Sequence, residues 1–485
     1  MPLREVLAGA GVLEIRGDAS TSVTGVAYAS GRVAPGDLFA CVRGAKADGH
    51  DFAGEAVDKG AIALLVEQML DHPVPQARVP STRRGMALAA HELFGRPSEK
   101  LSLVGVTGTN GKTTTTYLIE SMAAASGRVS GRIGTTGAAA RGKAMALERT
   151  TPEGPDFHRL LAAMVDDGID IVAAEVSSHA LALHRVDGAR FAVAAFTNLT
   201  RDHLEMHKTM DAYFEAKARL FTKDFSDRAA VVVDDEWGTM LAMRAEEEGL
   251  DVWRVSVDGP ADVAATAASL QPDGSDVTLS TPAGPLRLRI ALPGPFNVAN
   301  AALAAAASLC AGLPLEGIEA GAGAVAPGRF ERVPCDGGPT VIVDYAHTPG
   351  GLESVLTAAR ALAVPPGRLI AVFGAGGDRD PGKRGPMGEA AGRVADSVIV
   401  TNDNPRSEDP ATIAAAVADG VAATGAACEV ILDRREAIRH ALASAAGADV
   451  VVIAGKGHET GQDIGGRVVP FDDRAVAAEE LARLR

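Results

Sequence analysis

Val104-Gly-Val-Thr-Gly-Thr-Asn-Gly-Lys-Thr-Thr-Thr-Thr-Tyr-Leu-Ile-Glu120 is the stretch whose reading decides the fold. The apolar run over residues 101–106 predicts a buried strand. The Gly/Thr/Asn segment behind it predicts a tight turn, and an amphipathic helix opens at Lys112 or Thr113. Backbone N–H groups of such a turn, backed by the positive end of a helix, form a concavity for phosphate oxygens. There Lys112 reaches the terminal phosphates as a point charge, and the Thr113 hydroxyl sits on Mg2+. The longer form of such a loop carries glycine where Val106 stands, so this one is the shorter Gly108-Thr109-Asn110-Gly111-Lys112-Thr113. Strand, glycines, lysine, threonine and helix together point to nucleotide binding. The alternative is an ordinary strand–turn–helix corner.

Around this stretch lie 485 residues, too many for one core, and the length suggests about three domains. With 47% hydrophobic and 22% charged residues the chain is globular rather than disordered. A net charge of −15 argues against nucleic-acid or anionic-membrane partners, so basic residues that matter should cluster locally. Cys41, Cys310, Cys335 and Cys428 lie far apart without ligand spacing, which fits a reducing cytosol and no zinc site. The first fifteen residues lack the apolar core of a signal peptide. The Ala-rich stretch at 298–311 is too short to span a bilayer and reads as a buried helix. A cytoplasmic protein without membrane insertion is expected, with a monomer favoured.

Downstream of the turn, short apolar runs at 169–176, 191–198 and 229–234 alternate with helical segments, as in a parallel sheet covered on both faces. Ligands of such sheets gather beyond the carboxyl ends of the strands. Glu175 with Ser177 and Ser178, then Asn198, then Asp202-His203 fall there. A carboxylate and a neutral imidazole suit Mg2+ or Mn2+. A histidine such as His203 taken alone is more often a hydrogen-bonded surface or core residue, and its place after a strand beside a phosphate site is what favours the ligand reading. Residues 211–221 predict a helix capped by Asp211. Lys217 shares its apolar face with Tyr213 and Phe221, and from periodicity alone it would be a snorkelling lysine.

Residues 1–98 read as a small α/β domain, with strands at 38–42 and 61–66 and a helix at 52–59. Pro97-Ser98 marks a hinge. Residues 99–331 form the central domain, closed by an exposed linker at 327–331. Residues 332–485 repeat one device, in which apolar strands run into polar or glycine-rich loops, as in a Rossmann-like doubly wound sheet. Gly374-Ala-Gly-Gly-Asp-Arg379 imitates a dinucleotide fingerprint, but Arg379 stands at the third glycine position, so no nicotinamide site is expected. The loops deliver Asp344, Tyr345 and His347; Arg379, Lys383 and Arg384; Asp403-Asn404-Pro405-Arg406; and Gly455-Lys-Gly-His-Glu459. Acids and cations converging on one edge suit a zwitterion, whereas any single loop of this kind could be a solvated rim.

Thr107-Gly-Thr-Asn-Gly-Lys-Thr-Thr114 resembles the loop of the Mur ligases and their folylpolyglutamate synthase relatives. Tyr28-Ala-Ser-Gly-Arg-Val-Ala-Pro-Gly-Asp-Leu-Phe39 resembles their uridine-nucleotide entry, with Ser30 carried over and Ala29 and Gly31 departing from it. The resemblance implies three α/β domains, the central one a P-loop ATPase-like parallel sheet. It implies ATP held by Gly108, Thr109, Asn110, Gly111, Lys112, Thr113 and Thr114, with Asn300 on the adenine, Arg329 swinging onto the nucleotide, and Asp344 and His347 near it. Glu175, His203 and Lys217 carbamylated by CO2 would, with Thr113, hold Mg2+ (or Mn2+). Thr150, Thr151, Ser177 and Arg185 would join Ser30 on UDP-N-acetylmuramoyl-L-Ala-D-Glu; a glutamine usual in the family is Leu183 here. Arg379, Asp403, Asn404, Pro405, Arg406, Gly455 and Glu459 would take the incoming amino acid. The loop around Arg406 looks like the form that takes meso-diaminopimelate. The implied reaction is ATP-dependent amide ligation through an acyl phosphate, with Lys112, Glu175, His203, Lys217 and His347 as its catalytic set. Lysine-adding and folylpolyglutamate-type ligases are the near alternatives, and a P-loop regulatory ATPase is the distant one.

Overall fold

The computed structural model describes residues 1–44, 47–271, 273–335 and 337–484. Its central element is Ser102–Thr107, buried along nearly its whole length because neither face carries a charged side chain. It pairs in parallel with Ile171–Glu175 on one side and Val193–Phe196 on the other. This register sets Glu175 beside Val106, at the carboxyl edge where the chain turns into the helix Lys112–Ala125.

The sheet built outward from this strand has eleven strands. It is parallel from Ser130–Gly134 through Ile171–Glu175, Ser102–Thr107, Val193–Phe196, Arg228–Val232 and Asp251–Ser256 to Val263–Gln271. Both ends turn antiparallel, through Gly274–Ser280 and Leu286–Ile290 on one side and Gly137–Ala140 and Lys143–Met145 on the other. Leu286-Arg-Leu-Arg-Ile290 shows why: its side chains alternate buried and exposed, the pattern of a sheet with one solvated face. The Ala-rich segment forms the helix Pro295–Cys310, whose Ala301 to Ala307 are fully buried. It packs on Lys112–Ala125, and methyl side chains let two helix backbones approach closely.

The first part of the chain forms a five-stranded sheet, in the order Glu14–Arg16, Gln76–Arg78, Ala63–Val66, Asp37–Ala40, Gly25–Ala27. The last part forms a six-stranded sheet, in the order Glu331–Val333, Thr340–Asp344, Val450–Ala454, Leu369–Phe373, Ser397–Val400, Ala427–Val430. Only its first pair is antiparallel. The α/β class and the doubly wound third sheet agree with the sequence reading. One apolar core runs unbroken from Val104 and Ile119 in the centre to Ala346, Leu352 and Phe373 in the last part.

Four local expectations are corrected. Pro97-Ser98 is no loose hinge: both residues are buried in the turn Pro97–Glu99, and the Ser98 hydroxyl accepts from the Arg190 N–H at 3.0 Å. Residues 327–331 are not an exposed linker, since Phe330 is buried and donates its N–H to Asp344 at 2.6 Å. The helix Met210–Ala218 is capped by Thr209, whose hydroxyl accepts from Ala212 N–H, and not by Asp211. Lys217 does not snorkel, because its ammonium end lies inside the protein.

Candidate active site

A cavity of about 810 Å³ lies where the turn after Ser102–Thr107, the carboxyl edge of the central sheet and the loops of the third sheet meet. The turn needs its glycines. Gly108 has φ +144°, and a Cβ there would stand 1.8 Å from Thr197 Oγ1. Gly111 caps the helix at φ +89°, and a Cβ would stand 2.1 Å from Asn300 Oδ1. Asn198 ties the turn down, accepting from Thr109 N–H at 2.8 Å and Asn110 N–H at 3.1 Å. Lys112 folds over its own loop and donates to the Gly108 and Thr109 carbonyls at 2.9 and 2.8 Å. Desolvation lowers its pKa, and Glu175 and Asp202 oppose that shift. Thr109 to Thr114 and Asn300 all line the cavity, and Gly108 does not.

Glu175 is fully buried at the end of its strand. It accepts from Thr113 Oγ1 at 2.9 Å, and from Thr135 N–H and Oγ1 at 2.9 and 3.0 Å. Arg329 donates to the same Thr113 hydroxyl at 3.1 Å, lies 4.6 Å over the Tyr345 ring, and keeps a buried Nε without a partner. A glycine-lined turn at a helix N-terminus, a lysine and an under-committed arginine fit a polyphosphate. A hydroxyl and a carboxylate in contact beside them fit a Mg2+ ion, which favours oxygen donors. Asp344, buried behind Arg329, accepts from the Phe330 and Ala346 N–H groups. Burial raises its pKa, against the pull of Arg329.

Lys217 reaches the underside of the loop and donates to the Gly108 carbonyl at 2.7 Å, the oxygen that Lys112 also uses. Burial lowers its pKa well below the usual lysine range, and Lys112 adds to the shift. A neutral amine is the form that attacks CO2. His203 sits at a left-handed φ of 55°. Its Nδ1 is 3.5 Å from Glu205 and its Nε2 is 3.4 Å from Asp202. The neighbouring His203 ring holds Glu205 down at about 2. His347 Nδ1 donates to the Tyr345 carbonyl at 2.8 Å, and burial, reinforced by Lys383, lowers the ring to about 4. Lys383 stands 3.7 Å from Asp202 and Arg201 3.3 Å from Asp380, so charges from the central and last parts interlock at this edge.

From the third sheet, Arg379, Lys383, Asp403, Asn404, Arg406, Gly455 and Glu459 line the cavity. Asn404 is held at both ends of its amide: it donates to Glu459 at 3.0 Å and accepts from Lys456 at 3.1 Å and Asp463 N–H at 2.9 Å. Burial raises the Asp403 pKa, opposed by Arg434 and Lys456. For Glu459 burial acts in the same direction, but Lys456 prevails and lowers it. Arg406 has φ 51° and spends one N–H on the Gly377 carbonyl at 2.7 Å. The Pro405 carbonyl lies against Gly377, and Arg384 pairs with Glu408 at 2.7 Å.

The remaining named residues divide. Thr150 and Ser177 line the cavity. Thr151 is buried below and donates to the Glu175 carbonyl at 2.7 Å. Arg185 is paired with Glu153 at 2.8 Å, a partner within the protein. Ser30 is not brought into the cavity; it donates to Glu55 at 3.0 Å on the first domain. The neighbouring Arg32 bridges to Glu148 across the domains at 2.6 Å.

Sequence reasoning missed several residues. Thr135 gave no signal, because its contact with Glu175 is long-range. Arg434, fully buried, joins Asp473 to the Asn402 and Ala454 carbonyls and thereby braces two of the cavity loops. It is the first residue of the helix Arg434–Ser444, a position where nothing local signals burial. His179 and Glu205 were findable, since each lies within four residues of a named group.

Three family descriptions match the chain: "Mur ligase family, catalytic domain" over residues 22–90, "Mur ligase middle domain" over 106–308, and "Mur ligase, glutamate ligase domain" over 328–457. The chain is 43% identical to the UDP-N-acetylmuramoyl-L-alanyl-D-glutamate–2,6-diaminopimelate ligase of Gloeobacter violaceus, covering 100% of this chain and 99% of that one. It is 45% identical to the protein of the same name from Geobacillus kaustophilus, covering 92% of each. A solved structure of a ligase of that name superposes with a TM-score of 0.71 at 32% identity, covering 100% of this chain and 99% of that one. A folylpolyglutamate synthase of Mycobacterium tuberculosis shares the fold with a TM-score of 0.64 at 20% identity, covering 82% and 93%. With three matching domain descriptions in order and full-length relatives well above 30% identity, the chain belongs to the Mur ligase family.

Proposed function

We propose that this protein is an ATP-dependent ligase that joins 2,6-diaminopimelate to the D-glutamyl residue of UDP-N-acetylmuramoyl-L-Ala-D-Glu, a step of peptidoglycan precursor synthesis in the cytoplasm. The observation that carries the reading is a single cavity with two kinds of wall. One is a phosphate-cradling turn with Lys112, Thr113 and Arg329; the other is a set of acids and cations, Asp403, Arg406 and Glu459, suited to a zwitterion. Among the described residues no helix is long and apolar enough to cross a membrane.

The chemistry follows from the groups. The D-glutamyl side-chain carboxylate attacks the terminal phosphorus of ATP, and ADP leaves. Lys112, Arg329 and the turn's N–H groups offset the charge on the moving phosphoryl group, a positional and electrostatic contribution. Mg2+, held by Thr113 and Glu175, with His203 and a carbamate on Lys217 as further donors, would neutralise phosphate charge when bound. The amino group of the incoming amino acid then attacks the acyl carbon, loses a proton, and phosphate departs. Asp403 and Glu459 orient that amino acid through its ammonium groups, and Arg406 through its distal carboxylate. Thr150 and Ser177 face the cavity on the side of the nucleotide-sugar substrate. The pairs Lys383–Asp202 and Arg201–Asp380 join the central and last parts at the edge where the acyl phosphate would form.

Phosphate release measured with UDP-N-acetylmuramoyl-L-Ala-D-Glu, ATP and a panel of amino acids tests the reading. Release that depends on both the dipeptide and diaminopimelate supports it. Release without any amino acid would instead make the protein a plain ATPase.

A further inference from the structure

His179, His203 and Glu205 place one ligand atom each within 4.8 Å of one another. His179 comes from the short helix Ser178–Ala182, and the other two flank the start of Leu204–His207. The His179 and His203 rings meet edge to face, with centroids 4.7 Å apart. Glu205 Oε1 is buried and lacks a hydrogen-bond partner, although it lies 3.5 Å from His203 Nδ1. A separation near 3.5 Å is the edge of a tetrahedron of donors about 2.0–2.2 Å from a central ion. The far side of His203 is already oriented, with Nε2 3.4 Å from Asp202, the outer carboxylate that metal-bound imidazoles commonly carry. Behind His179 the His207 ring stands 5.7 Å away and is fixed by Ser178 at 3.0 Å. His203 and Glu205 face the cavity, so a fourth ligand position opens to solvent and substrate.

From this geometry we propose that His179, His203 and Glu205 form a site for a borderline-soft divalent cation of the Zn2+ or Co2+ class, sharing only His203 with the Mg2+ donor set proposed above, and that its occupation inhibits ligation. Two imidazoles and one carboxylate with an open fourth place are a donor set that Zn2+ prefers and Mg2+ does not. The inhibition rests on the proposed role of His203 in the ligase: an ion drawn toward His179 and Glu205 removes that ring from the reaction's own metal. No cysteine takes part.

The test uses the full-length protein in buffer with saturating Mg2+, titrated with Co2+ and followed by the intense visible absorption of four-coordinate cobalt. The wild type should develop that absorption at one equivalent. His179→Gln should bind at least about 10–100-fold more weakly, the range seen when a metal site loses a supporting group. Zn2+ should displace the cobalt and inhibit phosphate release in the wild type, while His179→Gln retains activity at the same Zn2+ concentration. Absence of tetrahedral cobalt absorption in the wild type overturns the site, as does equal affinity in His179→Gln with an unchanged melting temperature. Cobalt binding that leaves phosphate release untouched overturns the inhibition. Because the optical reading needs no turnover, failure of the ligase reading and failure of this site are distinguishable.

Discussion

Replacing Arg406 by alanine separates recognition from architecture. Arg406 lines the cavity and spends one N–H on the Gly377 carbonyl at 2.7 Å, so the rest of its fork is available to a carboxylate. Its backbone N–H donates to Asp463 at 3.1 Å and its carbonyl accepts from Gly465 at 2.8 Å, contacts that alanine keeps. The left-handed φ of 51° is as strained for alanine as for arginine, so that term cancels. The folded state therefore loses one hydrogen bond, about 0.5–1.5 kcal/mol. The complex with diaminopimelate loses a bidentate pair, about 1.5–3 kcal/mol per charge-assisted bond. At about 1.4 kcal/mol per decade, kcat/KM for diaminopimelate should fall by roughly two to four decades. Lysine, lacking the distal carboxylate, should be used no worse, and better if the unpaired guanidinium repels its ammonium. Arg406→Lys should not restore diaminopimelate use, because a point charge cannot replace a planar fork. The assay is phosphate release with each amino acid, together with a melting curve. An equal drop for both substrates, or a change confined to the melting temperature, would refute the selector role.

Further outcomes follow from the same contacts. Lys112→Ala removes the cation folded over the phosphate turn and should lower the rate by about 10²–10³, roughly 3–4 kcal/mol of transition-state stabilisation; near-normal turnover at saturating ATP would take Lys112 out of the mechanism. Lys217→Ala should lose activity that a small carboxylic acid partly restores, and 13CO2 should give the wild type a carbamate carbon signal that the variant lacks; a bare amine with full activity would exclude the carbamate. His158, buried between the first and central parts beside His91, is lowered by desolvation to about 3. The unfolded chain therefore binds a proton there that the folded one does not. The contribution to stability is fully present above about pH 6.5 and is lost by about 1.4 kcal/mol per pH unit as pH falls toward 3. His158→Gln should flatten the melting temperature against pH in that window, and an unchanged slope would assign the acid sensitivity elsewhere.

The strand and helix flanking the phosphate turn were legible because their signals are local. Apolar residues on both faces of 102–107, glycines where φ is positive, and Lys112-Thr113 at a helix start all lie within a dozen residues. The carboxyl-edge positions of Glu175 and Asp403 were equally readable, since each follows an apolar strand directly. Capping was legible only to within two residues, because Thr209 and Asp211 are both good caps. What the sequence alone determined, then, was the class of fold, the phosphate turn and the order of the polar loops. Tertiary structure alone decided which of those loops meet. Arg384 and Arg185 were spent on Glu408 and Glu153, Ser30 stayed on the first domain, and Arg329 was brought onto Thr113 across 216 residues. The reason is physical. A side chain's local pattern fixes the face it occupies, but its charge partner is set by long-range packing, and no periodicity in the chain encodes a contact between two separate sheets.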